Sequence, residues 1–300
     1  SFKYRNQWRS VLGGQAYQTA AAAYDFKVCD GRNFFGFGMS MLGDQVGEYP
    51  FYTAAGNLSV AYHQELRSGS YLVGGLQGGL IQYRIGNGEL RFDTQFDGVG
   101  GHDPNLPTFE EIERMATNLM VDVNLGVAFY NLEGVVAGLA LYHANQPSFS
   151  FKPVGNEISS RLNMRLVAHV QLPLIRRSDY VLHLRQLLMI QRPITELHHW
   201  QYLPGLETRV FYGPDADLGR GALHFGTGLR ITDDNLENKT FILDAVVLNA
   251  RLDYQSLSLG AAYDLNLSPL NRVSTGRGGF ELSVMWRFFS SNPCVTCPTF

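Results

Sequence analysis

Three groupings in this chain carry residue types that could do chemistry. His198-His199, followed by Trp200, offers two imidazoles, and imidazole is the commonest metal ligand. Adjacent side chains of a strand point to opposite faces, so the two rarely share one ion. Trp200 and Tyr202 read instead as part of an interfacial aromatic girdle. Cys294 and Cys297 form a CxxC near the C-terminus, two thiols short of a structural zinc site. In an oxidising compartment the expectation is a small Cys294–Cys297 disulfide loop, with Cys29 left over. His143 stands where a lipid-acting hydrolase would place a base, but no serine and acid are arranged around it in the sequence. There is no G-x-S-x-G, no HExxH and no phosphate loop. The expectation is a protein without metal or cofactor, and not an enzyme.

The remaining acids and bases share a different pattern. Asp122, Arg165, His169, His183, Arg185, Arg230, Glu281 and Arg287 each fall on the polar side of a segment that alternates polar and apolar residues. So do Asp25, His63, Glu65, His224, Arg251, Asp253 and Asp264. The last such segment shows the rule best. Phe280, Leu282, Val284, Trp286 and Phe288 are large and apolar, while Glu281, Ser283, Met285 and Arg287 alternate with them. Period-two alternation is a strand with one apolar face and one wet face. A soluble sandwich hides the apolar face in its core; a membrane barrel turns it to lipid and the polar face to a lumen. Inside a barrel both charge signs would pair, because an unpaired charge away from water is costly. The residues leave two readings of such a lumen open, a salt-bridged filling and a polar pore.

Fourteen segments of this kind are expected, at 1–10, 15–28, 34–44, 52–66, 70–84, 118–130, 135–143, 159–172, 180–191, 197–212, 221–232, 240–254, 256–267 and 278–289. The facing of 70–84 is ambiguous because it is glycine-rich. Connections near 29–33, 67–69, 131–134, 176–179 and 255 are short, whereas 44–51, 85–117, 144–158, 233–239 and 268–277 are generally longer, with 212–220 the exception. Even strand number, and short turns alternating with long loops, is the expected asymmetry of an outer-membrane barrel. In the longest loop, Thr108 and Glu111 fit a capping box, which predicts a short helix. The fold class expected is therefore all-β: an antiparallel transmembrane barrel of about 14 strands over residues 1–289 with a tail at 290–300.

Composition agrees. Charged residues are 17% of the chain, below the ~25% usual in soluble domains. Glycine numbers 32, Phe and Tyr together supply most aromatics, and no apolar run approaches a membrane helix. A net charge of −3 gives no nucleic-acid signal. A large secreted β protein would share these totals. No signal peptide precedes Ser1, which for an exported protein reads as a mature or trimmed start.

Particular runs also resemble a family. Tyr4-Arg-Asn-Gln-Trp8 before an Ala-rich strand, Phe35-Gly-Phe-Gly, Gly43-Asp-Gln-Val-Gly47 and Asn57-Leu-Ser-Val-Ala-Tyr62 are similar to the opening of PorP/SprF proteins. Leu259-Gly-Ala-Ala-Tyr-Asp-Leu-Asn-Leu-Ser268, Gly278-Gly-Phe-Glu-Leu-Ser283 and Trp286-Arg-Phe288 resemble its closing pattern. The resemblance implies an outer-membrane barrel of Bacteroidota within the type IX secretion and gliding machinery. It implies that a secreted adhesin is docked, exported or retained through its C-terminal sorting domain. It also implies periplasmic contacts with lipoprotein and ring components, and no catalytic residues. By position alone, Asp97, His102, Asp103, Phe109, Phe149, Phe151, Asn271 and Arg272 lie in outer loops and are the expected partner-binding residues. The competing expectations are a passive diffusion porin and an outer-membrane hydrolase.

Overall fold

The computed structural model describes residues 1–9, 16–47, 51–67, 69–85, 93–96, 98, 101, 103, 105–107, 117–149, 160–192, 199–213, 221–234, 239–269 and 271–288. Its strands are β1 Phe2–Gln7, β2 Tyr17–Asp30, β3 Asn33–Val46, β4 Phe51–Arg67, β5 Ser70–Ile85, β6 Thr117–Asn131, β7 Val136–Tyr142, β8 Ser148–Phe149 and β9 Ser160–Arg161. They continue as β10 Met164–Arg176, β11 Tyr180–Arg192, β12 His199–Phe211, β13 Gly221–Asp234, β14 Lys239–Tyr254, β15 Leu257–Asn266 and β16 Arg277–Trp286, with a short helix α1 at Asn271–Ser274.

Fourteen of these strands close into one antiparallel barrel, each paired with its sequence neighbour. The first and last strands complete the ring, Phe2 facing Val284 and Gln7 facing Gly279. β8 and β9 stand apart as a two-stranded sheet between β7 and β10. No described helix is long and apolar enough to cross a membrane, and the crossing elements are strands.

Which face looks out decides between the soluble and the membrane reading. Leu58, Leu76, Leu119, Val127, Phe225 and Trp286 are all exposed, as are Tyr24, Phe26 and Met39. The buried set contains Asp122, Asn124, His183, Glu207, His224, Asp253 and Asp264. A soluble domain buries apolar groups and exposes charges. Here the arrangement is inverted, and a continuous apolar belt around a polar interior is the signature of a barrel in hydrocarbon. The glycine-rich β5 follows the same rule: Leu72, Leu76 and Leu80 point outward, while Tyr71 and Ile81 are buried.

Two boundaries differ from the sequence expectation. The strand placed at 159–172 begins at Met164 and continues to Arg176. β7 ends at Tyr142, which faces Arg165, so residues before Met164 have no barrel neighbour on that side. Ser160 and Arg161 pair instead with Phe149 and Ser148, and the Leu162 N–H donates to the Pro147 carbonyl at 2.9 Å. The helix expected after Thr108 falls mostly outside the described residues, and its last residues, from Thr117, are strand. The short helix that is described lies before the final strand, at Asn271–Ser274.

The inner wall is kept flat by glycines covered by a neighbour's polar side chain. A Cβ on Gly79 would sit 2.0 Å from Asn57 Oδ1 and 2.5 Å from the Gly56 carbonyl oxygen. On Gly38 it would meet Ser59 Oγ at 2.6 Å, and on Gly260 Ser283 Oγ at 2.4 Å. Gly79→Val is therefore expected to destabilise the barrel by about 1–3 kcal/mol, the usual cost of overpacking. Gly78→Val, one residue along on the lipid side where a Cβ meets nothing within 4 Å, should be near neutral. Urea unfolding of the two variants in lipid vesicles checks the difference.

Candidate functional site

The lumen is the candidate site, and register dictates its contents. Alternate residues of each strand point inward, so neighbouring strands bring polar side chains of distant sequence into contact.

At the end carrying the long loops, Asp122 on β6 is buried and is met by His143, whose Nδ1 lies 2.8 Å from Oδ1. Asn124 extends this network, donating to Asp122 Oδ2 and to Gln77 Oε1 at 3.0 Å each. Its own Oδ1 accepts the His143 backbone N–H at 2.8 Å. Arg165 stacks its guanidinium over the Tyr142 ring at 4.9 Å. The acid that the sequence did not place beside His143 is thus Asp122, while among the described residues no serine hydroxyl bonds to the His143 ring. The pair fixes the turn after β7, where His143 itself holds a left-handed backbone with φ 56°.

Across the β13–β16 wall and β1 runs a second network. Asp264 accepts from Arg5 at 2.8 Å and from Arg230. Arg230 also lies 3.5 Å from Asp244, Arg5 lies 3.7 Å from Glu281, and Lys3 approaches Glu281 at 4.0 Å. Asp244 reaches inward because the β13–β14 register shifts between Arg230 and Ile231.

The third network lies near the short turns on β11–β15, with Arg287 just past β16. His224 sits between two carboxylates, Nδ1 at 3.3 Å from Glu207 and Nε2 at 3.0 Å from Asp253. Arg251 Nε lies 3.3 Å from Asp253, and Arg287 approaches the same oxygen at 3.4 Å while donating to Ser258 Oγ at 2.6 Å. Arg185 bonds to Glu207. His183 lies beside them, Cα-paired with Glu207 across β11 and β12.

Facing this charge, β3–β6 supply an aromatic group at the same end. Phe34, Tyr71 and Tyr130 are buried together with Val73 and Val136 packed against them. His63 stacks on Phe34 at 4.1 Å, and its Nδ1 lies 3.1 Å from the Tyr130 hydroxyl. His169 covers Gly138, its partner across β10 and β7, whose Cβ would fall 2.4 Å from the ring.

The lumenal residues singled out in the sequence thus divide among separate networks: Asp122 stands at the long-loop end, Arg230 and Glu281 in the second network, and Arg185 and Arg287 in the third. Glu207 and Asp244 were missed, whereas Asn124 lies on the inward face that the alternation gives it. For Glu207 the alternation is present, but Leu203 and Pro204 interrupt it. Asp244 sits at the register shift, where alternation gives the wrong face. The inward aromatics carry no polarity signal at all.

Of the expected partner-binding residues, Asp97, His102, Phe109 and Phe151 lie outside the described residues, as does His198. Asp103 caps a small turn through Asn105, Phe149 packs edge-on against Tyr83 at 5.2 Å, and Asn271 and Arg272 open α1. These are all at the long-loop end, but they form no shared contact among the described residues. His199 pairs with Asp233 at 2.8 Å, and Trp200 packs near Phe241 at 6.3 Å. No group of three or more metal-ligating side chains is found among the described residues.

Cys29, expected to be left over, is disulfide-bonded. Cys294 and Cys297 lie outside the described residues and are the chain's only other cysteines. Non-reducing peptide mapping should recover Cys29 joined to a peptide from the C-terminal tail. Recovery of a closed Cys294–Cys297 peptide with Cys29 alkylated would restore the sequence expectation.

A closed, even-stranded barrel, apolar outside and charged inside, defines an outer-membrane β-barrel protein. Its family is equally plain: the model of the type IX secretion system membrane protein PorP/SprF matches residues 1–286, and the chain belongs to that family. It is a membrane component of the type IX secretion machinery. A comparison with curated proteins finds no significant match.

Proposed function

We propose that the barrel docks a secreted surface adhesin through that protein's C-terminal sorting domain, and so serves its export or retention at the cell surface. The observation that carries this reading is the family match across nearly the whole barrel. The architecture supports it. The strand ends that flank connections 86–116, 143–163 and 267–276 lie at one end of the barrel, away from the short turns, which in such barrels face the periplasm. In that orientation Asp103, Phe149, Asn271 and Arg272 belong to the outer docking surface, with the loop residues Asp97, His102, Phe109 and Phe151. The tail at 290–300 then lies on the periplasmic side, where lipoprotein and ring components of the machinery would be met.

The test is cell fractionation in a strain lacking the barrel. A large secreted protein should leave the surface fraction and appear in the medium or the periplasm, and return on complementation. An unchanged surface proteome would overturn the proposal. The second reading is a diffusion porin, favoured by the glycine-backed inner wall. It calls for steady ion conductance by the pure barrel in planar bilayers.

A further inference from the structure

Among the described residues, Arg165 is a lumenal cation with no carboxylate partner. It sits on β10, Cα-paired with Tyr142 on β7 and Gln191 on β11, and residues opposite one another across strands share a face. Its guanidinium lies over the Tyr142 ring at 4.9 Å. It forms no ion pair or hydrogen bond among the described residues, and its Nε is buried without an acceptor. Arg5, Arg185, Arg230 and Arg287, by contrast, each meet a carboxylate oxygen. The buried acid of the same end, Asp122, is already engaged by His143 at 2.8 Å and Asn124 at 3.0 Å.

Aromatic rings gather around this cation. Tyr83 on β5 has the parity of the buried Tyr71 and Ile81, so it faces the lumen at the same end. It lies within electrostatic reach of both Arg165 and Asp122. Phe51 packs on its ring at 5.2 Å, and Phe149 meets it edge-on at 5.2 Å. A donor held away from water without an acceptor is costly. A guanidinium stacked on one ring keeps the donors along its edge for a planar partner, and that fork matches the two oxygens of a carboxylate. One positive charge balances one negative charge, which favours a carboxylate over a phosphate monoester carrying nearly two.

We propose that Arg165, with Tyr83 beside it, forms a binding site at the long-loop end of the lumen for the carboxylate of a ligand that also carries an aromatic group. The guanidinium edge donates to the carboxylate oxygens, the Tyr83 hydroxyl supplies a further donor, and the rings of Tyr83 and Tyr142 offer the apolar part a surface. The site does not rest on the docking reading, since a barrel with no protein partner would still bind the acid.

The experiment is a thermal unfolding titration of the pure barrel in mild detergent with phenylacetate, with its uncharged counterpart phenylacetamide, and with chloride at matched ionic strength. The expected result is a saturable rise in midpoint with phenylacetate that neither control reproduces. A parallel titration with the capped peptide acetyl-Gly-Phe-Glu-Gly-amide separates the sources: tighter binding of the peptide assigns the carboxylate to an acidic protein segment, tighter binding of phenylacetate to a free acid. Arg165→Gln should weaken the apparent affinity for phenylacetate about tenfold, the loss of hydrogen bonds to a charged group. Arg84→Gln, where the guanidinium lies over Tyr52 on the outer face, should leave it unchanged. Arg165→Lys keeps the charge but loses the fork, so its weaker binding reports even if Arg165→Gln fails to fold. Equal shifts with phenylacetamide or chloride, or an undiminished shift in the Arg165 variants, would overturn the proposal.

Discussion

Asp253→Ala should lower the unfolding free energy of the barrel by about 3–5 kcal/mol, the cost of breaking a buried ion pair from one side. The carboxylate is almost wholly inaccessible and holds three groups at once: His224 at 3.0 Å, Arg251 at 3.3 Å and Arg287 at 3.4 Å. These come from β13, β14 and the end of β16, so one side chain ties together partners spread over much of the barrel wall. Without it two guanidinium groups lose their nearest counter-charge in a setting already rich in arginine. Asp253→Asn should cost less, because the amide still accepts hydrogen bonds from His224 and Arg251 while removing only the charge. Urea titration in vesicles, followed by tryptophan fluorescence, measures both. A loss below about 1 kcal/mol for the alanine variant, the range of exposed pairs, would mean that the arginines are hydrated by an open lumen.

Leu76→Arg is the second large effect, expected at about 2–4 kcal/mol, the cost of a cation near the bilayer midplane on a lipid-facing wall. Leu76 is 50% exposed at the centre of β5, flanked by outward Gly74 and Gly78 that offer its replacement no polar partner. Gln77→Arg, next in sequence and turned to the lumen near Asn124, should cost clearly less. The comparison isolates facing from position, because both residues lie at one height. Equal losses would contradict the assignment of the outer face to hydrocarbon.

Why the fold was legible and the site only partly so has one physical cause. A barrel wall separates two media, and every residue must suit the medium it meets. Leu119, Val121, Leu125 and Val127 against Asp122 and Asn124 announce that separation in sequence. All fourteen barrel strands follow from it, including the short β7. Alternation fails where the rule is locally suspended. The register shift beside Asp244 turns two successive residues inward. Pro204 and Leu203 interrupt β12, and residues 160–161 leave the barrel because β7 is too short to reach them. Phe34, Tyr71 and Tyr130 are apolar yet inward, held by each other instead of by lipid. Contacts also depend on register across strands, as with His224 meeting both Glu207 and Asp253, and no local pattern encodes which residues face one another. The Cys29 disulfide belongs to the same class: spacing favoured the nearby CxxC, while closure of the barrel brings β2 within two strands of β16.

The most direct test of the docking role is affinity purification of the tagged barrel from native outer membranes in mild detergent, with mass spectrometry of what accompanies it. The docking account expects one large secreted protein bearing a C-terminal sorting domain, in near-stoichiometric amount, lost when the long loops are trimmed. The barrel recovered alone, and conducting ions in a planar bilayer, would contradict docking and establish the porin instead.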